Sequence, residues 1–512
     1  MRIPFPERVP IARVALFAIA LFAVQWLEGT PLYFRFGSAV FILIAAFAFN
    51  TAGGLTRASG VYVFFYSTLV VIVGLCYKAF LGEPAQSNLL DPRTTIEVYV
   101  GGITAMLAAV IVSRRFRRKT GLLQHVLKES QMYRASVGCM LFGVVGASVI
   151  WLLGSIRLET AFTQLNLFIP LGIIIGVMYE IRRSGGTRSI NLPILLVGIY
   201  YFWGYGLMAF SKQGMLTPLV CWFFPVCALR FRLSALQVLS VLAVVFIVFY
   251  YLVPYSQYGR SQVDETMTFG QRAAVAFRLL EHPEQTRQTY NEVESSAAGA
   301  GGEYFDTPQG FWDRLQFISL DDELVNITDN GKVLGLAPLE DAFKNAVPHV
   351  IWPNKPKPVF GGNFYAHEIG IGLSEEDTTT GISFSPTAEA YHMEQWTGVL
   401  VVTPLVWFLL FVVYDSLFGD VRDSPWGLLA AALFAHIAPE AMLSSLIYTL
   451  TVGVEALVFC ALFAIWVAPI LASTVLGPER RAAASQTSFR SSLNPRTTPG
   501  AQGVGPAPES PA

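Results

Sequence analysis

The run LQVLSVLAVVFIVFYYLV at residues 236–253 contains no charged side chain. An α-helix rises 1.5 Å per residue, so a run of this length spans about 27 Å, close to the roughly 30 Å hydrocarbon core of a bilayer. Lipid offers no partner to an unpaired backbone N–H or C=O, so a chain that crosses it must be helical. The run therefore predicts a transmembrane helix.

Eleven further apolar runs of similar length occur in the chain. They lie at 11–27, 36–52, 61–78, 95–113, 135–154, 162–179, 190–209, 213–229, 397–414, 427–447 and 454–472. The composition agrees, because 53% of the 512 residues are hydrophobic and 14% are charged, against about 25% charged in soluble domains. We therefore predict an all-α polytopic membrane protein with about 12 transmembrane helices. A soluble enzyme and a disordered scaffold are excluded, and a net charge of −1 gives no general basic surface for nucleic acid.

Lysine and arginine are distributed unevenly among the connections. With the N-terminus in the cytoplasm, 21 of them lie on the cytoplasmic side, five of them in the basic run at 114–119. Five lie in the short connections on the other side: Arg35, Lys78, Arg93, Arg157 and Lys212. Basic residues concentrate in cytoplasmic connections, so both termini are predicted to be cytoplasmic.

The chain divides by composition into four parts. Residues 1–253 are predicted to hold helices 1–9, residues 254–396 a large extracytoplasmic loop, and residues 397–472 helices 10–12. Residues 473–512 are rich in Ser, Thr, Pro, Gly and Ala and predict a disordered cytoplasmic tail.

The predicted loop is acidic and partly helical. It contains nine basic and 21 acidic residues, a net charge of −12, and no cysteine. Most of these carboxylates are expected on a solvated surface. Apolar residues recur at helical spacing at 268–282, 311–336 and 339–347, while four prolines at 348–358 prevent a helix. Without disulfides, the fold of the loop is expected to depend on the membrane helices.

The sequence lacks the motifs of several classes of enzyme and transporter. The chain has no glycine-rich phosphate loop followed by Lys-Ser or Lys-Thr. The apolar runs contain few charged residues, and ion-coupled transporters need such residues along the ion pathway. The sequence therefore argues against an ion-coupled transporter. Histidines and cysteines are not spaced as metal ligands, so neither a metal nor a cofactor is expected.

Four cations are candidates for binding a phosphate or diphosphate. Lys212 lies in a very short turn between two apolar runs, where it either binds an anion or extends to the lipid head groups. Arg314 lies in the stretch FWDRLQFI and has Asp313 and Asp321 as alternative partners. Lys355 and Lys357 lie in WPNKPKP, where prolines hold the backbone, and they are either anion ligands or solvated side chains.

Three ionisable residues fall in or beside apolar runs. His436 and Glu440 are four residues apart and share one face of the eleventh run, and Glu455 begins the twelfth at its outer end. Intramembrane ionisable residues indicate function by default, with a hydrogen-bonded packing role as the alternative.

Two strings near the end of the loop carry a resemblance to a known family. PHVIWPNKPKPVFGGNFYA at 348–366 and SPTAEAYHMEQWTG at 385–398, together with the Ser-Lys turn at 211–212 and a large loop before the last three helices, resemble the bacterial Wzy-type polymerases. These enzymes polymerise O-antigen and exopolysaccharide repeat units and are related to the O-antigen ligases. The layout covers most of the chain, and the sequence resemblance is confined to about 205–235 and 310–400.

The resemblance implies a metal-independent membrane glycosyltransferase in the bacterial inner membrane. Such an enzyme transfers a glycan from a polyprenyl diphosphate to the sugar end of another lipid-linked repeat, on the outer face of the membrane. Its partners would be lipid-linked oligosaccharide, membrane lipids, a chain-length regulator and a flippase. Preorganised cations stabilise the departing diphosphate, and a carboxylate or histidine serves as general base.

Carried onto this chain, the resemblance implies the following roles. Lys212 occupies a turn where related proteins often have arginine, Arg314 matches the loop arginine expected at the diphosphate, and Lys355 matches the lysine of the W-P-x-K-P string. The candidates for the base are Glu389, His392 and His349.

Three other interpretations remain open at this point. An O-antigen ligase uses the same donor and another acceptor. A flippase or channel subunit would export lipid-linked glycans without chemistry, and a sensor or adhesion module would use the loop as an independent domain.

Overall fold

The structure is a computed structural model that describes most of the chain. It covers residues 1–153, 166–263, 267–297, 303–307, 309–310, 312–347, 351–370 and 381–477. Within these ranges the regular structure is helical, apart from one isolated β-bridge between Arg2 and Arg232. The all-α class predicted from the sequence is therefore confirmed for the described residues.

Seven described helices are long and apolar enough to cross a bilayer by length and composition. They are Leu32–Ala52, Ala58–Leu81, Pro92–Phe116, Glu129–Val149, Ala235–Ser261, Pro386–Phe418 and Leu443–Trp466. These helices indicate a membrane protein. The other five predicted runs correspond to shorter helices: Ile11–Leu27, Phe168–Arg183, Leu192–Leu207, Lys212–Ala228 and Pro425–Glu440. Seven of the twelve expected spans are thus supported by helix length.

Aromatic side chains fill the centre of the bundle. Tyr62, Trp407 and Phe434 come from three different helices and are buried. The rings of Tyr62 and Phe434 have centroids 5.4 Å apart and meet edge to face, and the Trp407 indole N–H donates to the Tyr62 hydroxyl at 3.1 Å. Buried indole and phenol groups need such partners, so this contact fixes how the three helices meet.

The arginine-rich connections lie together at one end of the bundle, which we call the basic end. The N-terminal amine donates to the carbonyl of Leu233 at 2.6 Å, and Arg422 contacts Glu7 at 2.9 Å. The Arg57 guanidinium reaches the carbonyl of Lys119. Connections that the sequence analysis assigned to one side of a membrane therefore meet in space.

The polar segment, residues 262–385, packs on the helix ends opposite the basic end. Its described helices are Phe269–Glu281, Pro283–Ala297, Trp312–Leu315, Ile318–Asp329, Ala337–Ala346 and Gly362–Glu368. The Phe317 amide donates to the carbonyl of Val70 at 3.2 Å, and Tyr99 donates to Asp321 at 2.7 Å. The segment is shorter than the predicted loop, because the flanking helices extend to Ser261 and begin at Pro386.

A kink divides the Pro386–Phe418 helix near the point where the tenth span was predicted to begin. Glu394 and Gln395 have non-helical dihedrals, and Gln395 has φ 48° and ψ −133°. The carbonyls released by the kink accept from the polar segment: Leu334 N–H donates to His392 at 3.1 Å, and Gly335 N–H donates to Met393 at 2.9 Å. The kink therefore binds the polar segment to this helix.

Gly398→Ala is expected to disturb the kink and to destabilise the protein by about 1–3 kcal/mol. A Cβ at Gly398 would lie 1.8 Å from the carbonyl oxygen of Ala390, a backbone atom that cannot rotate away. The measurement is the thermal midpoint of the purified protein in detergent. Gly270→Ala is the control, because a Cβ there meets no atom within 4 Å. Equal midpoints for both variants would contradict the described kink.

The last helices differ from their predicted bounds. The Pro425–Glu440 helix ends before a break, and the next helix runs without interruption from Leu443 to Trp466. Glu455 therefore lies near the middle of a helix, and its predicted place at an outer end is wrong. The helix Ala468–Leu476 extends into the predicted disordered tail, whose residues 478–512 lie outside the described residues.

Candidate functional site

His392 lies where the kinked helix meets the polar segment, and its side chain is fully buried. Its Nδ1 lies 2.8 Å from the Thr328 hydroxyl, which donates its one proton to the carbonyl of Leu324 at 2.7 Å. The hydroxyl must then accept from Nδ1–H, so Nε2 carries the lone pair of the neutral ring. His392 therefore has one ring nitrogen, Nε2, without a hydrogen-bond partner among the described residues.

Glu368 lies between this nitrogen and solvent. Its Oε1 is 4.0 Å from the His392 Nε2 and 3.1 Å from the Lys332 ammonium. The Glu368 side chain is 15% exposed, whereas His392 is not exposed at all. The two acceptors face each other just beyond hydrogen-bond distance, so a small movement of either side chain would let a proton pass between the surface and the buried ring.

Glu368 also lines an open cleft of about 520 Å³. The cleft is lined by Pro358, Val359, Gly361, Asn363, Phe364, His367 and Glu368. The Gly362–Glu368 helix supplies most of this wall. A polar ligand in the cleft would reach Glu368 directly and His392 through it.

Glu389 lies one helical turn from His392 but makes a different set of contacts. Its carboxylate accepts from the Tyr365 hydroxyl at 2.7 Å and from the Ser444 amide and hydroxyl at 2.8 and 2.7 Å. The side chain is fully buried. Burial and the Glu389 charge raise the pKa of Tyr365, so the phenol remains a donor. These contacts favour a structural role for Glu389, joining three helices, over the predicted role as base.

Lys212, His436 and Glu440 form a second polar group. His436 Nδ1 lies 3.2 Å from Glu440 Oε2, as the four-residue spacing predicted, and both side chains are about half exposed. Lys212 begins the Lys212–Ala228 helix and lies within electrostatic range of His436. The structure therefore brings together three residues that were predicted separately. Glu455 does not belong to this group. It is exposed on the Leu443–Trp466 helix, where its charge lies near the Tyr448 hydroxyl.

Lys355 holds the polar segment together. Its ammonium donates to the carbonyls of Asn345 at 2.7 Å and Val347 at 2.8 Å, at the C-terminal end of the Ala337–Ala346 helix. This arrangement satisfies carbonyls at a helix C-terminus and favours a structural role. Lys357, two residues later, is exposed.

Two predicted residues fall partly or wholly outside the described part of the chain. The backbone of Arg314 lies in the short helix Trp312–Leu315, and its side chain is outside the described residues. His349 belongs to 348–350, which is not described.

Asp321 and Asp322 attach the polar segment to the membrane helices. Asp321 accepts from the Tyr99 hydroxyl and from the Ser385 amide at 2.9 Å. Asp322 accepts from Thr95 at 2.7 Å and from amides just before the Pro92–Phe116 helix, where the helix dipole favours an anion. Burial raises the pKa of both carboxyls to about 6. The expectation that the acids of this segment are solvated is wrong for this pair.

Asp321→Asn is expected to stabilise the protein at about pH 7 and to leave it unchanged at about pH 4. The folded-state pKa of Asp321 lies above its ordinary value, so its stabilising contribution is full at low pH and is lost as the pH rises through about 6. Asparagine resembles the protonated form and keeps partners for Tyr99 and Ser385. Thermal midpoints at the two pH values check this, with exposed Glu281→Gln as control. A uniform loss at both pH values would contradict it.

Glu368, Lys332 and Thr328 were missed by sequence reasoning. Glu368 lies 24 positions before His392, and Thr328 lies 64 positions before it. No local spacing rule links such distant residues. A signal that was present is the pair His367-Glu368 directly after the FGGNFYA string.

No family model, curated protein or solved structure matches the chain.

Proposed function

We propose that the protein is a membrane glycosyltransferase that polymerises polyprenyl-diphosphate-linked oligosaccharide repeats on the outer face of the bacterial inner membrane. The observation that carries the proposal is the Glu368–His392 pair, which opens on a cleft in a segment fixed to the ends of apolar helices. The strings that resemble the polymerase family lie close to this pair in the sequence, because 348–366 ends two residues before Glu368 and 385–398 contains His392.

The proposed reaction needs a base for the acceptor hydroxyl. The sugar hydroxyl enters the cleft and gives its proton to the Glu368 carboxylate as its oxygen attacks the anomeric carbon. His392, with its Nε2 behind Glu368, takes up or shares this proton. Glu368 would touch the substrate, and His392 would act through Glu368.

The reaction also needs cations for the leaving group. The bond between the anomeric carbon and the phosphate oxygen breaks, and the diphosphate leaves with the electron pair. Lys332 already lies beside Glu368, and Lys357 is exposed on the same segment. Lys212 and Arg314 remain candidates for the same task. Because the polar segment carries a net charge of −11, an anionic donor depends strongly on these few cations.

A substrate anchored in lipid restricts where the chemistry can occur. Its diphosphate lies at the level of the head groups, so the catalytic groups must be held at the ends of the membrane helices. Asp321, Asp322 and Glu389 hold the polar segment at that position. In this proposal both termini lie in the cytoplasm, the cleft faces outward, and a flippase and a chain-length regulator act beside the enzyme.

The test is deletion of this chain in its host, followed by size analysis of the surface and secreted polysaccharide. The proposal predicts that polymer disappears while single lipid-linked repeats accumulate on the outer leaflet. Normal polymer that is never attached to its anchor would identify a ligase instead. Repeats retained on the inner leaflet would identify an export component and overturn the proposed chemistry.

A further inference from the structure

A second cavity lies at the basic end and shares no lining residue with the cleft. It has a volume of about 800 Å³ and is formed by the turn between the Phe168–Arg183 and Leu192–Leu207 helices. It is lined by Glu180, Arg183, Ser184, Thr187, Arg188, Ile190, Asn191, Leu192 and Leu195. None of these residues takes part in the proposed glycosyl transfer.

The turn that forms the cavity is held firmly by its own side chains. The Ser184 hydroxyl accepts from the amides of Thr187 at 3.2 Å and Arg188 at 2.9 Å. The far end is fixed by Ser189, which accepts from the Trp222 indole at 3.1 Å. The turn therefore has a defined backbone conformation, and this backbone carries the arginine side chains of the cavity.

The charges of the cavity are not balanced. In the described part of the chain, no carboxylate lies within ion-pair distance of Arg183 or Arg188. The Arg183 guanidinium donates to the Tyr179 hydroxyl at 3.3 Å and lies 5.8 Å from the centroid of the same ring. The one acid of the lining, Glu180, is nearly buried and is engaged by the Asn191 amide at 3.0 Å. Two guanidinium groups thus line a space that suits a phosphate group.

An apolar stripe leads from the cavity along the Leu192–Leu207 helix. Leu192, Leu195 and Ile199 are 65%, 50% and 57% exposed. Their spacing places them on one face of this shorter apolar helix, where hydrocarbon would cover them. A phosphate bound at the arginines would have its attached chains directed along this stripe.

We propose that the cavity binds the phosphate headgroup of an anionic phospholipid, whose acyl chains lie along the stripe of Leu192, Leu195 and Ile199. Basic pockets at the ends of transmembrane helices bind such head groups. The site does not depend on the proposed enzymatic activity.

The test uses the full-length protein purified in a neutral detergent, with phosphatidylglycerol, phosphatidylcholine and inorganic phosphate as probes. Thermal midpoint and lipid occupancy by native mass spectrometry are recorded for each probe. We expect phosphatidylglycerol to raise the midpoint, and the other two probes to have no effect at equal concentration. Equal effects of phosphatidylcholine would overturn the requirement for an anion, and equal effects of free phosphate would overturn the lipid assignment.

Two double variants separate this site from the general charge of the basic end. Arg183→Gln with Arg188→Gln is expected to weaken phosphatidylglycerol binding roughly tenfold or more. Arg114→Gln with Arg115→Gln removes the same charge from exposed positions at the same end and should leave the binding unchanged. Equal losses in both double variants would overturn the proposal, because the lipid would then respond only to net charge.

Discussion

Replacing Asp415 by alanine is expected to lower the free energy of unfolding by about 3–5 kcal/mol. Asp415 is fully buried at the basic end and accepts from the Arg117 guanidinium at 2.7 Å. It also accepts from the Ser59 amide at 3.1 Å and the Ser59 hydroxyl at 2.7 Å. Removing this carboxylate leaves a mostly buried guanidinium and an N–H at a helix start without their partner. The thermal midpoint in detergent measures the loss.

Two controls make the Asp415 result specific. Glu97→Ala removes a carboxylate from the exposed pair Arg93–Glu97 and should cost less than about 1 kcal/mol. Replacing Arg117 by methionine together with Asp415 by leucine should cost less than Asp415→Ala alone, since no buried charge is left unpaired. If Asp415→Ala were as stable as Glu97→Ala, the network would not hold these helices.

Replacing His392 by asparagine is expected to reduce polymer formation by roughly 10²–10⁴-fold, the usual contribution of a general base. The asparagine amide occupies the place of Nδ1 and can still donate to Thr328, but the nitrogen that faces Glu368 is gone. Stability should therefore change little while activity falls. Product size on gels and the thermal midpoint are measured on the same preparations.

The matched variant is Thr328→Val, which removes the hydroxyl beside Nδ1 and keeps Nε2. It should affect activity less than His392→Asn, and should shift the pH dependence of polymer formation because the tautomer of His392 is no longer fixed. Normal polymer from His392→Asn would exclude His392 from the reaction. A large fall in the midpoint would instead assign it a packing role.

The sequence predicts the class of the fold because length and polarity of an apolar run are local properties. The runs at 36–52, 61–78 and 95–113 correspond closely to described helices. The start of the tenth helix was missed because residues 386–396 are too polar to be recognised as part of a membrane helix. Its first turns face the polar segment, which supplies partners for His392 and Glu389.

The candidate site was only partly predictable, for reasons of tertiary contact. His436 and Glu440 interact within one helix, so their spacing in the sequence was sufficient. Glu368 meets His392 across two helices, and no pattern of spacing carries that information. Asp321 and Asp322 belong to an acidic stretch typical of solvated surface, and only the packing of the segment on Tyr99 and Thr95 buries them.

The most direct measurement is polymer formation by the purified protein in proteoliposomes, supplied with the lipid-linked repeats that accumulate in the deletion strain. We predict a ladder of products that grows by one repeat unit at a time, appears without nucleotide, and is lost with His392→Asn and Glu368→Gln. If the protein without substitutions left these repeats unpolymerised, that result would contradict the account. A ladder that persists in both variants would place the chemistry elsewhere in the molecule.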